Sequence, residues 1–143
     1  MNIKKVIEIE MRNDIAELGA LCGELDKIGD TWNLPPDLIF NLNLVLEELL
    51  TNTIFYGYDI PGEHVILLKI SLENDIIMVT ITDNAKAFDP LARPDPDVTQ
   101  ALEERKIGGL GIYLVKKIMD DLTYTRSGDK NILTLRKKFN FNK

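Results

Sequence analysis

The chain has 143 residues, 45% of them hydrophobic and 28% charged, with a formal net charge of −6. That size and apolar content suit a single globular domain over 1–143 that builds its core without disulfides or metal. The acidic balance argues against direct nucleic-acid binding, which needs clustered Lys and Arg; it fits a basic protein partner, or none that charge attracts.

The opening residues, Met1-Asn2-Ile3-Lys4-Lys5, lack the apolar core of a signal peptide. Ile7, Ile9 and Met11 then alternate with Glu8, Glu10 and Arg12, the period of a half-buried strand. Asn13-Asp14, with Glu17 three residues beyond Asp14, reads as a capping box that opens a first helix. Its apolar positions are Ile15, Leu18, Cys22, Leu25 and Ile28, and it ends near Gly29. This stripe either packs internally or pairs with a second copy of the chain. Cys22 is the only cysteine, which excludes an internal disulfide and agrees with a reducing, cytoplasmic setting.

Pro35-Pro36 opens a second helix, where a missing N–H costs little. Its stripe includes Leu38, Leu42, Val45, Leu46 and Leu49, and Gly57 stops it after Tyr56. Asp59-Ile60-Pro61-Gly62 is a turn. Strands over 65–72 and 76–82, joined by Glu73-Asn74-Asp75, form a hairpin. From 88 to 107 the periodicity fades, Pro90, Pro94 and Pro96 appear, and the chain reads as a functional lid. A third helix starts at Gly108-Gly109-Leu110-Gly111 and runs to Asp120. Two closing strands, 122–126 and 132–139, flank Ser127-Gly128-Asp129-Lys130. No continuous apolar run approaches the ~20 residues of a membrane span, so no membrane association is expected. The expected fold is α/β of the α+β kind, a two-layer sandwich with a mostly antiparallel, mixed sheet and about three helices on one face.

Three short segments carry candidate chemistry. Glu48 and Asn52 are four apart on the second helix and share a face outside its apolar stripe. A carboxylate and a carboxamide so placed suit a hard cation such as Mg²⁺, and equally an ordinary solvated helix face. Asp83 ends the second hairpin strand. It either accepts a hydrogen bond from an exocyclic amine, with Phe88 covering a base-sized cavity, or turns the chain with Asn84. Gly108, Gly109 and Gly111 precede an amphipathic helix whose N-terminal N–H groups favour phosphate; the alternative is a lid hinge. No Gly-Lys-Ser/Thr follows, so this is not a Walker loop, and the spacing is not that of a dinucleotide fingerprint.

Taken in order, these segments resemble the GHKL (Bergerat-fold) ATPases, and within them the anti-sigma factor serine kinase branch. The family's N-box resembles 48–58, its first glycine box resembles 83–90 including Phe88-Asp89-Pro90, and its second resembles 108–117. The terminal Asn131-Ile132-Leu133-Thr134-Leu135 is similar to the family's last strand. The resemblance implies ATP and Mg²⁺, with Asn52 on the metal and Glu48 as general base or orienter of the acceptor hydroxyl. It implies Asp83 on the adenine amine, with Ala85 and Phe88 beside it and Thr134 touching the base region. Gly108, Gly109, Leu110 and Gly111 would wrap the phosphates as the lid closes. It further implies a serine/threonine-protein kinase whose partners are a sigma factor and an anti-anti-sigma (STAS-type) protein, and a homodimer as one arrangement. The alternative is a nucleotide-dependent protein-binding module without phosphotransfer. A histidine kinase fragment fits less well, because no dimerising helix bears a phospho-acceptor His and His64 sits in a loop. Two positions depart from the family. Ala85 stands where Gly is usual, so that its methyl crowds the base or demands negative φ. Tyr56 stands where many relatives have His.

Overall fold

The computed structural model describes residues 4–92 and 109–140. In chain order the elements are β1 (Lys4–Arg12), α1 (Glu17–Thr31), α2 (Pro36–Tyr56), β2 (Val65–Glu73), β3 (Ile76–Asp83), a short 3-10 turn (Pro90–Ala92), α3 (Gly109–Ile118), β4 (Asp121–Ser127) and β5 (Lys130–Lys138). The strands form one sheet in the order β1-β2-β3-β5-β4. Every pair among the described residues is antiparallel, so the sheet is not mixed.

Side chains alternate across a strand, and the register lines the apolar ones up in rows across the sheet. One row is Ile7, Ile70, Val79, Leu135 and Leu122; the next is Ile9, Leu68, Ile81, Leu133 and Tyr124. Ile70, Val79 and Leu135 are fully buried. The opposite phase runs Glu8, Lys69, Thr80, Thr134 and Thr123, which makes it the polar face. The helices cover the apolar rows, and the core is a single cluster between the two layers.

The central helix is α2, which contacts both α1 and α3. Pro35 and Pro36 set its first turn as expected, and Leu38, Ile39, Leu42, Val45, Leu46, Leu49 and Leu50 are buried. By length and composition α2 is apolar enough to cross a membrane. The reason lies in its packing, since one broad face is a domain core. The start of α1 differs from expectation. The Asp14 carboxylate accepts from Ala16 N at 3.0 Å, and Glu17 opens the helix and reaches back to Arg12 N at 3.1 Å. The buried stripe of α1 is Leu21, Leu25 and Ile28, with Leu18 packed against it. Cys22 and Ile15, expected in that stripe, are exposed. The helix passes through Gly29 to Thr31, and Asn33 takes the positive φ of 55° that turns the chain towards Pro35. Asn74 does the same in the β2–β3 turn, with φ 56°.

Leu50 is 0% exposed at the α2–sheet interface. Leu50→Ala is expected to lower stability by about 2–5 kcal/mol through lost burial and the cavity left behind. The check is the urea midpoint with an unchanged denaturant slope.

Candidate functional site

The C-terminal end of α2 meets the loop after β3 at Gly57. The loop is held there by a hydrogen bond from Lys86 N to Gly57 O at 2.8 Å. The φ of Gly57 is −87°, so no left-handed turn explains the glycine. The reason is space: a Cβ at this position would stand 2.6 Å from Thr53 O and 2.9 Å from the Ala85 methyl. Ala85 itself has no positive φ and is buried at 4% exposure. Its methyl therefore fits because residue 57 has none.

This junction closes one wall of a cavity of about 330 Å³. Asn52, Thr53 and Tyr56 line it from α2, Asp83 from β3, Ala85 and Phe88 from the following loop, and Tyr124, Asn131 and Leu133 from β4 and β5. The expected Asn52, Asp83, Ala85 and Phe88 are thus together in one pocket. Asp83 is 7% exposed. Its Oδ1 accepts from Ala85 N at 3.0 Å and from Asn131 Nδ2 at 2.9 Å, and Oδ2 has no partner among the described residues. A buried carboxylate with one oxygen fully engaged suits a ligand that brings an N–H donor.

Glu48 does not line this cavity; it lies one helical turn before Asn52 and is half-buried. A Cβ added to Gly111 would strike the Glu48 carboxylate. The glycine at 111 therefore lets α3 approach α2 over that side chain. Gly109 and Leu110 form the first turn of α3, while Gly108 and most of the expected lid lie outside the described residues. Thr134, expected beside the base, is one residue out of phase. It pairs with Thr80 and Thr123 on the polar face, and the pocket receives its neighbour Leu133.

Asn131, Tyr124 and Arg126 were not among the expected site residues. Asn131 sits directly opposite Asp83 in the β3–β5 ladder, which only the register reveals. His64 is not a loose surface residue: its ring stacks on Tyr58 with centroids 4.4 Å apart, and Asn84 lies 3.3 Å from its Nδ1. The Tyr58 hydroxyl is buried without a partner among the described residues. Burial pushes its pKa up to about 12, and the Asp83 charge adds to the rise.

A family model described as Histidine kinase-like ATPase domain matches residues 11–137. The chain is similar to the Serine-protein kinase RsbW of Listeria monocytogenes, 25% identical over 126 residues covering 85% of this chain and 79% of the relative. It is also similar to the Serine/threonine-protein kinase BtrW of Bordetella bronchiseptica, 29% identical over 106 residues, 74% of this chain and 73% of the relative. The Anti-sigma F factor of Bacillus licheniformis is 25% identical over 91 residues, 64% and 62% of the two chains. Among solved structures, the histidine kinase domain from Erythrobacter litoralis EL346 blue-light activated histidine kinase superposes with a TM-score of 0.52 at 18% identity. The match covers 87% of this chain and 60% of that one. That last likeness is one of fold.

Two expectations follow from the packing. The added methyl of Gly111→Ala meets only the flexible Glu48 side chain, whose carboxylate can swing aside, so stability is expected to move by less than about 1 kcal/mol, helix propensity offsetting the displacement. In Glu48→Ala the same change is expected to stabilise by about 1 kcal/mol, and additive effects in a double-mutant cycle of denaturation midpoints would contradict the contact. The raised Tyr58 pKa makes its neutral form the folded one. Its contribution is therefore complete below pH ~10 and is lost as pH climbs through about 12. Tyr58→Phe removes a buried hydroxyl with no partner, so stability at neutral pH should hold or rise. The alkaline decline should be shallower than in wild type when melting temperatures are compared across that range.

Proposed function

This chain belongs to the histidine kinase-like ATPase domain family, and from that premise we propose that it is a cytoplasmic, ATP-binding anti-sigma factor and protein serine/threonine kinase. The observation that carries the reading is a cavity that brings together Asn52 on the helix side and Asp83 at the strand end. Asp83 has one free oxygen for the adenine amine, and Phe88, Ile112 and Leu133 supply apolar surface for the ring. Asn52 and Glu48 follow at one-turn intervals towards the N-terminus of α3, the natural place for phosphate. The donor atoms offered there are the carboxylate of Glu48 and the amide oxygen of Asn52. That agrees with Mg²⁺, which takes few protein ligands and shares the phosphates of its substrate. Asn52 would hold Mg²⁺ there, and the ion would supply charge neutralisation for the phosphates.

In the proposed reaction the hydroxyl oxygen of a partner's Ser or Thr attacks the γ-phosphorus. The bond to the β–γ bridging oxygen breaks, ADP leaves, and Glu48 orients the hydroxyl and takes its proton. The acceptor is an anti-anti-sigma protein of the STAS type, and the second partner is a sigma factor. A homodimer is the proposed assembly. The relatives' names, serine-protein kinase and anti-sigma F factor, support a serine acceptor and a sigma-factor partner.

Asn52→Ala is expected to abolish Mg·ATP binding in calorimetry, and wild-type affinity in that variant would overturn the assignment. Glu48→Gln should keep nucleotide affinity while transfer from labelled ATP to the acceptor falls by about 10²–10⁴-fold. Nucleotide binding by the wild type with no transfer to any acceptor would favour the second reading, a nucleotide-dependent binding module.

A further inference from the structure

Asn131 is 7% exposed, and its side chain makes five hydrogen bonds among the described residues. Its Nδ2 donates to Asp83 Oδ1 at 2.9 Å, Ala85 O at 3.2 Å and Lys86 O at 3.0 Å. Its Oδ1 accepts from Arg126 Nη1 at 3.1 Å and from the Tyr124 hydroxyl. Three pure acceptors face the nitrogen, and a guanidinium and a phenol face the oxygen. The amide can therefore sit only one way round. Arg126 Nη1 also donates to Ala85 O at 2.8 Å, which ties β4 to the same loop.

We propose that Asn131 is a positioning residue for nucleotide selectivity, which locks the Asp83 carboxylate so that one oxygen alone is presented to the base. This rests on the reading of Asp83 given above. With Oδ1 held by Ala85 N and Asn131, the carboxylate is not free to rotate, and Oδ2 is the acceptor left for the ligand. A purine with a 6-amino group satisfies that oxygen. A purine with a 6-keto oxygen sets lone pairs against a buried carboxylate. The same amide pins the carbonyls of Ala85 and Lys86, which form the pocket's loop wall. Asparagine is the residue this place demands. Leucine has no donor, and aspartate reverses the sign of every contact that Nδ2 makes.

The charged and titratable groups around position 131 are Asp83 on β3 and Arg126 and Tyr124 on β4. Tyr58 lies beyond Asp83, and His64 touches Asn84. Lys86 turns its amine away to Asp59 at 3.1 Å. Asn131→Asp therefore sets two carboxylates against each other, with a proton shared between them once the pH falls. That proton restores a donor from position 131 to Asp83.

The test measures binding of ATP and of inosine triphosphate to the full chain by calorimetry at about pH 8 and about pH 6. Wild type should prefer ATP at both. Asn131→Asp should lose ATP affinity at the higher pH by roughly tenfold or more and regain much of it at the lower. Wild-type affinity at the higher pH, or a loss equal at both, overturns the proposal. Tyr124→Phe keeps the ring and removes only the hydroxyl that, with Arg126, orients the amide, and should narrow the ratio of ATP to inosine triphosphate affinity several-fold. An unchanged ratio there overturns it even if Asn131→Asp fails to fold. A wild-type protein that binds the two nucleotides equally would defeat the reading of Asp83 itself, an outcome distinct from the failure of Asn131.

Discussion

The close approach of Gly57 to Ala85 is the constraint from which the site's geometry descends. Asn52 and Tyr56 belong to a helix, Asp83 to a strand, and 31 residue numbers separate Asn52 from Asp83. They meet because the backbone at 57 carries no side chain and Lys86 N bonds to its carbonyl. The methyl of Ala85 occupies the room so released. A larger residue at either position would push the helix end from the loop and open the pocket along that wall. The pairing also answers the puzzle of alanine in a glycine box, since the space is shared between two positions and one of them gives it up.

A second close approach, between Gly111 and the Glu48 carboxylate, joins the other end of the site to α3. The two contacts act on opposite ends of one stretch of α2. Between them the helix is anchored by Leu49 and Leu50 in the core. Rigid positioning of this kind is what phosphoryl transfer asks of a protein, because the chemistry depends on alignment and charge more than on covalent help.

Much of this was legible in the sequence because the patterns were long. The period-two run from Ile7 to Met11, the proline entry and the wide apolar stripe of α2, and the hairpin about Asn74 each follow from local chemistry. The failures have local causes as well. Leu21 holds the buried face of α1 and Cys22 is exposed, and two adjacent apolar residues allow either helical phase. Thr134 beside the base is what the family resemblance implies, but a strand turns its face with every residue. Leu133 and Leu135, both apolar, mark the inward phase and would have excluded it. Asn131 was invisible for a different reason: its meaning comes from standing opposite Asp83, and cross-strand register is a tertiary fact.

Glu48, Asn52, Tyr56 and Gly57 share one unbroken helix and its cap, and so one measuring scale. At 1.5 Å per residue, the step from Gly57 back to Glu48 spans about 13 Å along the axis. The helix thus acts as a ruler, with the Gly57–Ala85 contact marked at its cap and the Glu48–Gly111 contact marked two and a half turns earlier. A ruler of this kind tolerates changes in what is written on it more readily than changes in its length. One residue inserted between Glu48 and Gly57 would swing the two marks about 100° out of line while leaving every side chain chemically intact.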